Sequence, residues 1–307
     1  MSMEGNEPFI HCENLVKIFK VEDIEVVALQ GLDLTVRQEE MMAIIGPSGS
    51  GKSSLLNVLG GLDTPSAGRA FVNGHDLLKM SQSDRLRYRR ETIGFVWQSV
   101  GRNLIPYLTA VENVELPMIL TGTFDRDRAH RLLDIVGLGE RKHHQPRHMS
   151  GGEQQRVAIA IALANNPAVM LADEPTGSLD AENAANIVEA MASVREELGV
   201  TVIIVTHDQS LAESVDRYVS ISDGKTSTES IRRYGALPSG RATNTAELRF
   251  EDGLTEESHE HHVLLDSAGR LQLSEETRSR YGIGRRVKMI EEDDRIVIVP
   301  PDEKESE

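Results

Sequence analysis

The residues best able to do chemistry lie in one glycine-rich string. Residues 46–53 read Gly-Pro-Ser-Gly-Ser-Gly-Lys-Ser, which fits the phosphate-loop pattern G-x-x-x-x-G-K-[ST]. Its glycines let the backbone curl so that several N–H groups point inward at a polyphosphate, and a helix beginning near Lys52 adds its positive dipole end. Lys52 can neutralise the β- and γ-phosphates, and Ser53 can ligate Mg²⁺. The string predicts binding of a nucleoside triphosphate.

Two adjacent carboxylates, Asp173 and Glu174, follow an apolar run later in the chain. An acid at the end of a buried strand can hold Mg²⁺ through water, opposite Ser53. The second acid, Glu174, is placed to polarise a water for attack on the γ-phosphate. The alternative interpretation of two acids after a strand is a helix N-cap. The upstream phosphate loop favours the catalytic interpretation.

The elements that must position these residues alternate between strands and helices. The continuous apolar runs that predict buried strands are residues 41–45, 169–172 and 201–205. Long helical patterns separate them, which predicts a parallel sheet covered on both faces and an α/β fold. Residues 9–18 and 32–36 predict short strands around the polar stretch 21–25, and residues 109–164 predict a helical insertion.

Composition narrows the class of protein. The 307 residues carry a formal net charge of −16, which argues against a nucleic-acid or anionic-lipid surface as the main partner. The single cysteine, Cys12, excludes internal disulfides and suits a reducing cytoplasm. The first residues lack the pattern of a signal peptide, and no apolar run approaches the roughly 18–20 residues that a membrane span needs. Any membrane crossing is therefore expected of other chains.

Six motifs in order resemble the ATP-binding subunit of an ABC transporter over roughly residues 8–228. These motifs are Gly46–Ser53, Gln98, Ser150–Gln154, Asp173–Glu174, Ser178-Leu-Asp180 and His207. The resemblance implies a P-loop NTPase with a mixed sheet and a helical subdomain. It also implies a head-to-tail homodimer that sandwiches two ATP molecules, in which the loop 46–53 of one subunit faces Ser150-Gly-Gly of the other.

The resemblance further implies a role for each motif residue. The implied nucleotide contacts are Phe19, Gly46, Ser48, Gly49, Ser50, Gly51, Lys52, Ser53, Ser54, Gln98, Ser150, Gly151, Gly152, Glu153 and Asp180. The implied Mg²⁺ ligands are Ser53, Gln98 and Asp173, and the implied hydrolytic residues are Glu174, His207 and Lys52. Gln98 would also sense a membrane partner, Asp180 would couple the two sites, and His207 would hold the water near Glu174. Phe19 stands where the family usually has a tyrosine that stacks on adenine.

Three strings narrow the resemblance to the lipoprotein-release and macrolide-export ATPases. They are residues 104–109, 112–117 and 174–180. In that group ATP cycling drives a mechanical stroke of integral-membrane permease subunits, which implies a cytoplasmic protein held peripherally on the inner face of the cell membrane. This sequence departs from that group at Val100-Gly-Arg, which resembles an insertion of about two residues. The resemblance implies that the loop carrying this insertion faces the membrane partner.

The chain is predicted to hold a second, smaller domain. We divide it into an ATPase domain (1–232), an acidic linker (233–261), a small mostly-β domain (262–301) and an acidic tail (302–307). Strings within 265–273, 281–287 and 295–300 resemble an AbrB/SpoVT-type swapped-hairpin domain. Four short strands and a helix over 274–280 are expected there.

Two functions are open for this second domain. Swapped-hairpin domains dimerise because about forty residues cannot bury a sufficient core alone, and many bind DNA. A basic face could form from Arg270, Arg285, Arg286 and Lys288. The acidic linker and tail raise the cost of approaching phosphates, so DNA binding is disfavoured and dimerisation preferred. The alternative for the whole chain is a soluble ABC-type ATPase with a DNA-binding regulatory C-terminal domain.

Overall fold

The computed structural model describes residues 8–21, 24–99, 101, 103–177, 179–233, 258–265, 269–273, 275–284, 287–292 and 295–300. Val100, Arg102, Ser178, most of the predicted linker, Ser274, Arg285, Arg286 and the acidic tail lie outside these residues. The strands are β1 (Ile10–Val21), β2 (Ile24–Val36), β3 (Met41–Ile45), β4 (Ala67–Val72), β5 (His75–Asp76), β6 (Ile93–Val96), β7 (Val169–Asp173), β8 (Thr201–Val205), β9 (Arg217–Ser222), β10 (Lys225–Arg233), β11 (Ser258–Val263), β12 (Lys288–Glu292) and β13 (Arg295–Val299). The helices are α1 (Lys52–Leu59), α2 (Gln82–Glu91), α3 (Ala110–Thr121), α4 (Arg126–Ile135), α5 (Gly151–Ala162), α6 (Ala181–Leu198), α7 (Gln209–Glu213) and α8 (Glu275–Arg280).

The central sheet has seven strands in the order β11-β10-β9-β3-β8-β7-β6. Strands β9, β3, β8, β7 and β6 run parallel to one another, and the apolar runs predicted three of them, β3, β8 and β7. Parallel strands end at the same edge of a sheet, and ligands of open α/β sheets bind beyond those ends. The loops that follow β3, β7 and β8 therefore begin side by side.

Both faces of this sheet are buried, which explains the continuous apolar strands. Successive side chains point to opposite faces: Met42 and Ile44 pack with α1 in one core cluster, while Met41 and Ala43 pack with the helical insertion in the other. Cys12 belongs to the first cluster, where burial raises the pKa of its thiol to about 12. It therefore acts as a small apolar side chain.

The helical insertion is confirmed as α3, α4 and α5, and each helix begins at a side-chain cap. Thr109 and Ser150 form capping boxes with the glutamate three residues on, and Asp125 accepts the backbone N–H of Arg128. Such caps satisfy orphan N–H groups and stabilise a helix by about 1 kcal/mol each. They fix where α5, and so its exposed first turn, begins.

The second sheet corrects one prediction. Strands β1 and β2 were expected to be short, but they form a long antiparallel hairpin that extends through most of the polar stretch 21–25. The outer end of this hairpin is solvent-exposed, and its apolar side chains Ile24 and Val26 are 66% and 52% exposed. There Lys20 and Glu25 also pair across the strands at 2.7 Å. The other members are β4 and β5, in the order β2-β1-β4-β5.

Residues 258–261 also differ from the predicted linker. They form β11, which pairs antiparallel with β10 and adds the last strand to the central sheet. Leu264 follows, donates its N–H to the Ser227 carbonyl at 3.0 Å and packs against a core cluster. The string Ser-His-Glu-His-His has no apolar alternation, so only the presence of the β10 edge explains its strand conformation.

Beyond Leu265 the chain forms a small C-terminal unit, which we define as residues 269–300. The four predicted strands are partly correct: β12 and β13 form a hairpin, but the first two predicted strands meet only at a single bridge between Leu265 and Leu271. The predicted helix is present as α8. Among the described residues, no helix is long and apolar enough to cross a membrane.

Candidate functional site

The glycine-rich loop 46–51 connects β3 to α1 and is shaped by its glycines. Gly49 and Gly51 have φ of 81° and 101°, in the left-handed region that disfavours side chains. A Cβ on Gly46 would lie 2.1 Å from the Ile221 carbonyl oxygen, and one on Gly51 would lie 2.4 Å from that of Ala28. The loop is therefore both curled and pressed against neighbouring backbone, as a cradle for a phosphate requires.

Lys52 fills the centre of this loop. Its ammonium donates to the carbonyl oxygens of Gly46 at 2.8 Å and Pro47 at 2.9 Å. Burial lowers the pKa of Lys52, and the carboxylates of Glu174 and Asp173 oppose that shift. The hydroxyl of Ser50 is buried and has no hydrogen-bond partner among the residues that the structure describes. A buried cation beside an unsatisfied hydroxyl suits an anionic oxygen ligand.

Ser53 and Asp173 supply oxygen atoms at the open side of the loop. The Ser53 hydroxyl donates to Asp173 Oδ1 at 3.4 Å. Burial, and then the charge of Glu174, raises the pKa of the Asp173 carboxyl, which the Ser53 hydrogen bond and Lys52 oppose. A hydroxyl and a carboxylate are hard oxygen ligands of the kind that Mg²⁺ prefers. The donor set therefore fits the predicted metal.

Glu174 is the centre of the site. Its backbone has φ of 44°, a strained conformation for a residue other than glycine, and its N–H donates to the Val205 carbonyl at 2.8 Å. Its carboxylate accepts a hydrogen bond from Gln98 Nε2 at 2.8 Å, and its other oxygen lies 3.2 Å from His207 Nδ1. The side chains of Gln98 and His207, two of the predicted site residues, therefore both contact the carboxylate of Glu174.

The string 150–154 forms the start of α5. The Ser150 hydroxyl accepts the N–H of Glu153, whose carboxylate accepts the N–H of Ser150 and pairs with Arg141 at 3.1 Å. Ser150 and Gly151 are exposed. Gly152 is buried, and a Cβ there would lie 2.4 Å from the Asn183 side chain. Glu153 and Gly152 thus shape the helix start, whereas Ser150 and Gly151 present it to solvent.

The remaining predicted residues surround these groups. Asp180 caps α6, and hydrogen bonds from Asn183 lower the pKa of its exposed carboxyl. Phe19 is half-buried, and its ring centroid lies 4.6 Å from the ammonium of Lys17. Ser48 is exposed within the loop, and Ser54 is half-buried in the first turn of α1.

One positioning residue was missed at the sequence level. The side-chain oxygen of Asn103 accepts the Trp97 N–H at 3.0 Å, and its amide donates to the carbonyls of Trp97 at 3.0 Å and Ser99 at 3.3 Å. These bonds close the loop that carries Gln98. Asparagine is common in loops, so the residue type alone does not predict this loop-closing role.

Comparison with known proteins agrees with this geometry. The sequence model of the family described as ABC transporter matches residues 29–177. The lipoprotein-releasing system ATP-binding protein LolD 2 of Caulobacter vibrioides is 45% identical over 222 residues, which are 71% of this chain and 96% of that protein. The macrolide export ATP-binding/permease protein MacB of Brucella melitensis is 44% identical over 229 residues, 74% of this chain. The chain spans only 35% of the length of that protein.

Solved structures give the same assignment. A dimeric ATP-binding cassette in a post-hydrolysis state, bound to ADP and Pi, matches with a TM-score of 0.64 and 39% identity, covering 72% of this chain and 97% of that one. A dimeric bacterial ABC transporter cassette matches equally well, with a TM-score of 0.64 and 40% identity over the same shares. With its phosphate loop, its Glu174 cluster and these relatives, the chain belongs to the ABC transporter family, as an ATP-binding subunit with an ABC-type ATPase site.

Proposed function

We propose that this subunit powers a transporter of the lipoprotein-release and macrolide-export type, as a homodimer bound to integral-membrane permease subunits on the cytoplasmic face of the membrane. The observation that carries the catalytic part is the Glu174 carboxylate, hydrogen-bonded by Gln98 and close to His207. The relatives LolD 2 and MacB support the subfamily through their identities of 45% and 44%.

The chemistry follows from the positions of these side chains. ATP places its β- and γ-phosphates in the loop 46–51, where Lys52 and the backbone N–H groups neutralise them. Bound Mg²⁺ would add positive charge at the phosphates, and Ser53, Gln98 and Asp173 would hold it. Glu174 accepts a proton as water forms a bond to the γ-phosphorus and the bond to the bridging oxygen breaks, releasing ADP and phosphate. His207 keeps the water and the carboxylate aligned.

The second half of each site comes from the other subunit in this proposal. The exposed start of α5 combines a hydroxyl, a glycine N–H and a positive helix dipole end, which together attract an anion. Placed against the γ-phosphate bound by the partner's loop, Ser150 and Gly151 close the sandwich. Dimeric relatives, one with ADP and Pi bound, support this arrangement.

A surface near the end of α3 is proposed as the docking site for the permease. Ile119, Leu120 and Phe124 are 55%, 75% and 50% exposed. Neighbouring large apolar side chains at such exposure are typical of a protein–protein contact. Ile119 and Leu120 lie on α3, which packs on α5, and Phe124 follows α3, so a force applied there can reach the start of α5.

Leu120→Glu is expected to abolish recovery of the permease. A charge placed in an apolar interface costs enough to weaken binding roughly tenfold or more. Tagged wild-type and variant proteins would be captured from detergent-solubilised native membranes with ATP and Mg²⁺, and the co-purified multispan protein quantified. Leu86→Glu, at an exposed leucine of α2, is the matched control and should recover it fully. Equal recovery by both variants would place the docking site elsewhere, and recovery of only DNA or soluble protein would favour the alternative function.

The C-terminal unit is proposed as a dimerisation clamp. Tyr281, Met289 and Ile296 are each about 60% exposed, a large apolar surface for so small a unit. A second copy of the same unit would cover it and keep two ATPase domains at high effective concentration between cycles.

Truncation after Leu265 is expected to convert a nucleotide-free dimer into a monomer. This end point keeps β11 and Leu264 in place, whereas truncation after Arg233 would also expose the edge of β10. Sedimentation velocity without nucleotide measures the difference, and the ATPase rate per chain at saturating ATP and high protein concentration should stay within about twofold. Identical sedimentation of the full and truncated chains would exclude the clamp.

A further inference from the structure

The turn between β9 and β10 is tied to the phosphate loop. The N–H of Gly224 donates to the Ser50 carbonyl at 3.0 Å, and the Gly224 carbonyl accepts the N–H of Gln30 at 2.9 Å. The turn therefore bridges the loop and β2 through backbone bonds. None of the motifs in the sequence includes this turn.

These three segments touch backbone to backbone. A Cβ on Gly224 would lie 2.7 Å from the Ala28 carbonyl oxygen, and one on Gly46 would lie 2.1 Å from that of Ile221. Such packing leaves no room for the turn to move without moving the loop. The position of Gly224 therefore sets the position of the Ser50 carbonyl, and with it the N–H groups that face the phosphates.

The C-terminal unit reaches the same turn. Gln272 donates to the Asp223 carboxylate in a long hydrogen bond of 3.5 Å, and the Ser222 hydroxyl donates to it at 3.4 Å. Asp223 holds φ of 51°, a left-handed conformation that tightens the turn. A cavity of about 700 Å³ lies between the turn and α8, and Pro47 of the phosphate loop forms part of its wall. The unit thus contacts the turn that supports the loop.

We propose that Gly224 and Asp223 are positioning residues for the phosphate loop, through which the C-terminal unit raises ATP affinity. The contact from Gln272 holds the turn in the conformation that supports Ser50. This inference rests on the proposed function in one respect, the assignment of the loop 46–53 as the phosphate site. Lys52→Ala tests that assignment separately.

The first test compares two glycines with the same backbone conformation. Gly224 and Gly74 have φ of 72° and 77°, but a Cβ on Gly74 would meet no atom of the described residues within 4 Å. Both alanine variants strain the backbone through their positive φ, but only the Cβ of Gly224→Ala also collides with neighbouring backbone atoms. Gly224→Ala is therefore expected to raise the Kd for ATP about tenfold or more, whereas Gly74→Ala should change the Kd less than about twofold. Calorimetric titration with Mg-ATP in the Glu174→Gln background, where ATP persists, gives both values.

The second test separates positioning from stability. Asp223→Gly removes the carboxylate and relieves the left-handed strain, so the melting temperature should stay equal or rise while the Kd for ATP rises about twofold to fivefold. Gln272→Ala should match it, and the double variant should show no further change. Asp223→Asn keeps an acceptor and should restore the wild-type Kd. Asn73→Gly, at a second described Asn/Asp-Gly turn with φ of 47°, should leave the Kd unchanged.

Three results would overturn the inference. An unchanged Kd in Gly224→Ala, or a Kd that simply follows the melting temperature across the series, would make the turn purely structural. If Gln272→Ala bound ATP with the wild-type Kd, the C-terminal unit would have no influence on the phosphate loop through this contact. If Lys52→Ala itself kept full ATP affinity, the phosphate-site assignment would be wrong, a failure distinguishable from that of the turn.

Discussion

Glu174→Gln is expected to lower the ATP turnover rate by about 10²–10⁴-fold while leaving ATP affinity within about threefold of wild type. The amide has the shape of the carboxylate and can still accept the hydrogen bond from Gln98, which is 2.8 Å in the wild type. It cannot take a proton from water. The phosphate loop and Lys52 are untouched, and removal of a negative charge near the phosphates does not weaken binding. Phosphate release and calorimetric ATP binding, measured on one sample, separate the two effects.

Glu39→Gln is the matched control for this variant. Glu39 also has a positive φ, 59° compared with 44° for Glu174, so the same chemical change is made on the same kind of strained backbone. Glu39 precedes β3, at the edge of the sheet opposite to the phosphate loop. Its turnover should equal that of wild type. Hydrolysis by Glu174→Gln within tenfold of the control would remove Glu174 from its assigned role.

Ser150→Asp is expected to lower turnover by about 10²–10³-fold, even though Ser150 lies at the start of α5 and not in the phosphate loop. Aspartate caps a helix as well as serine does, so α5 and the melting temperature should be preserved. The new charge would face the γ-phosphate bound by the partner and repel it. ATP binding by the isolated subunit should be unchanged, because its own loop is intact.

Ser150→Thr provides the control, since it keeps both the cap and the hydroxyl. It should retain most of the turnover. Phosphate release at several protein concentrations measures both variants, together with thermal unfolding to confirm the fold. Full activity in Ser150→Asp would show that the start of α5 takes no part in hydrolysis and would remove the sandwich from the proposal.

The parts of the fold that the sequence predicts are those with strong local signals. The run 41–45, the glycine loop and Lys52 appear as β3, the loop and α1, because a buried strand and a phosphate loop each demand specific residue types. The helices of the insertion also follow from their caps at Thr109 and Ser150.

The contacts within the site could not be predicted in the same way. Gln98, Glu174 and His207 each had a predicted role, but their meeting depends on the parallel order of β6, β7 and β8, which no local pattern encodes. The strands β1 and β2 were predicted too short because the acids at 22–23 suggested a break between them, and β11 was missed because its string Ser-His-Glu-His-His carries no apolar alternation. The role of Gly224 was missed because it comes from the approach of three distant backbones.

In the proposed dimer, Glu174 of one subunit and Ser150 of its partner act on the same ATP. This arrangement is tested by mixing purified Glu174→Gln and Ser150→Asp proteins and measuring phosphate release. In a head-to-tail heterodimer one site carries both changes and the other carries neither. The two nearly inactive proteins are expected to regain activity on mixing, approaching about a quarter of wild type for random pairing of independent sites. Activity no greater than the sum of the two separate proteins would show that Glu174 and Ser150 of different subunits do not act on the same ATP.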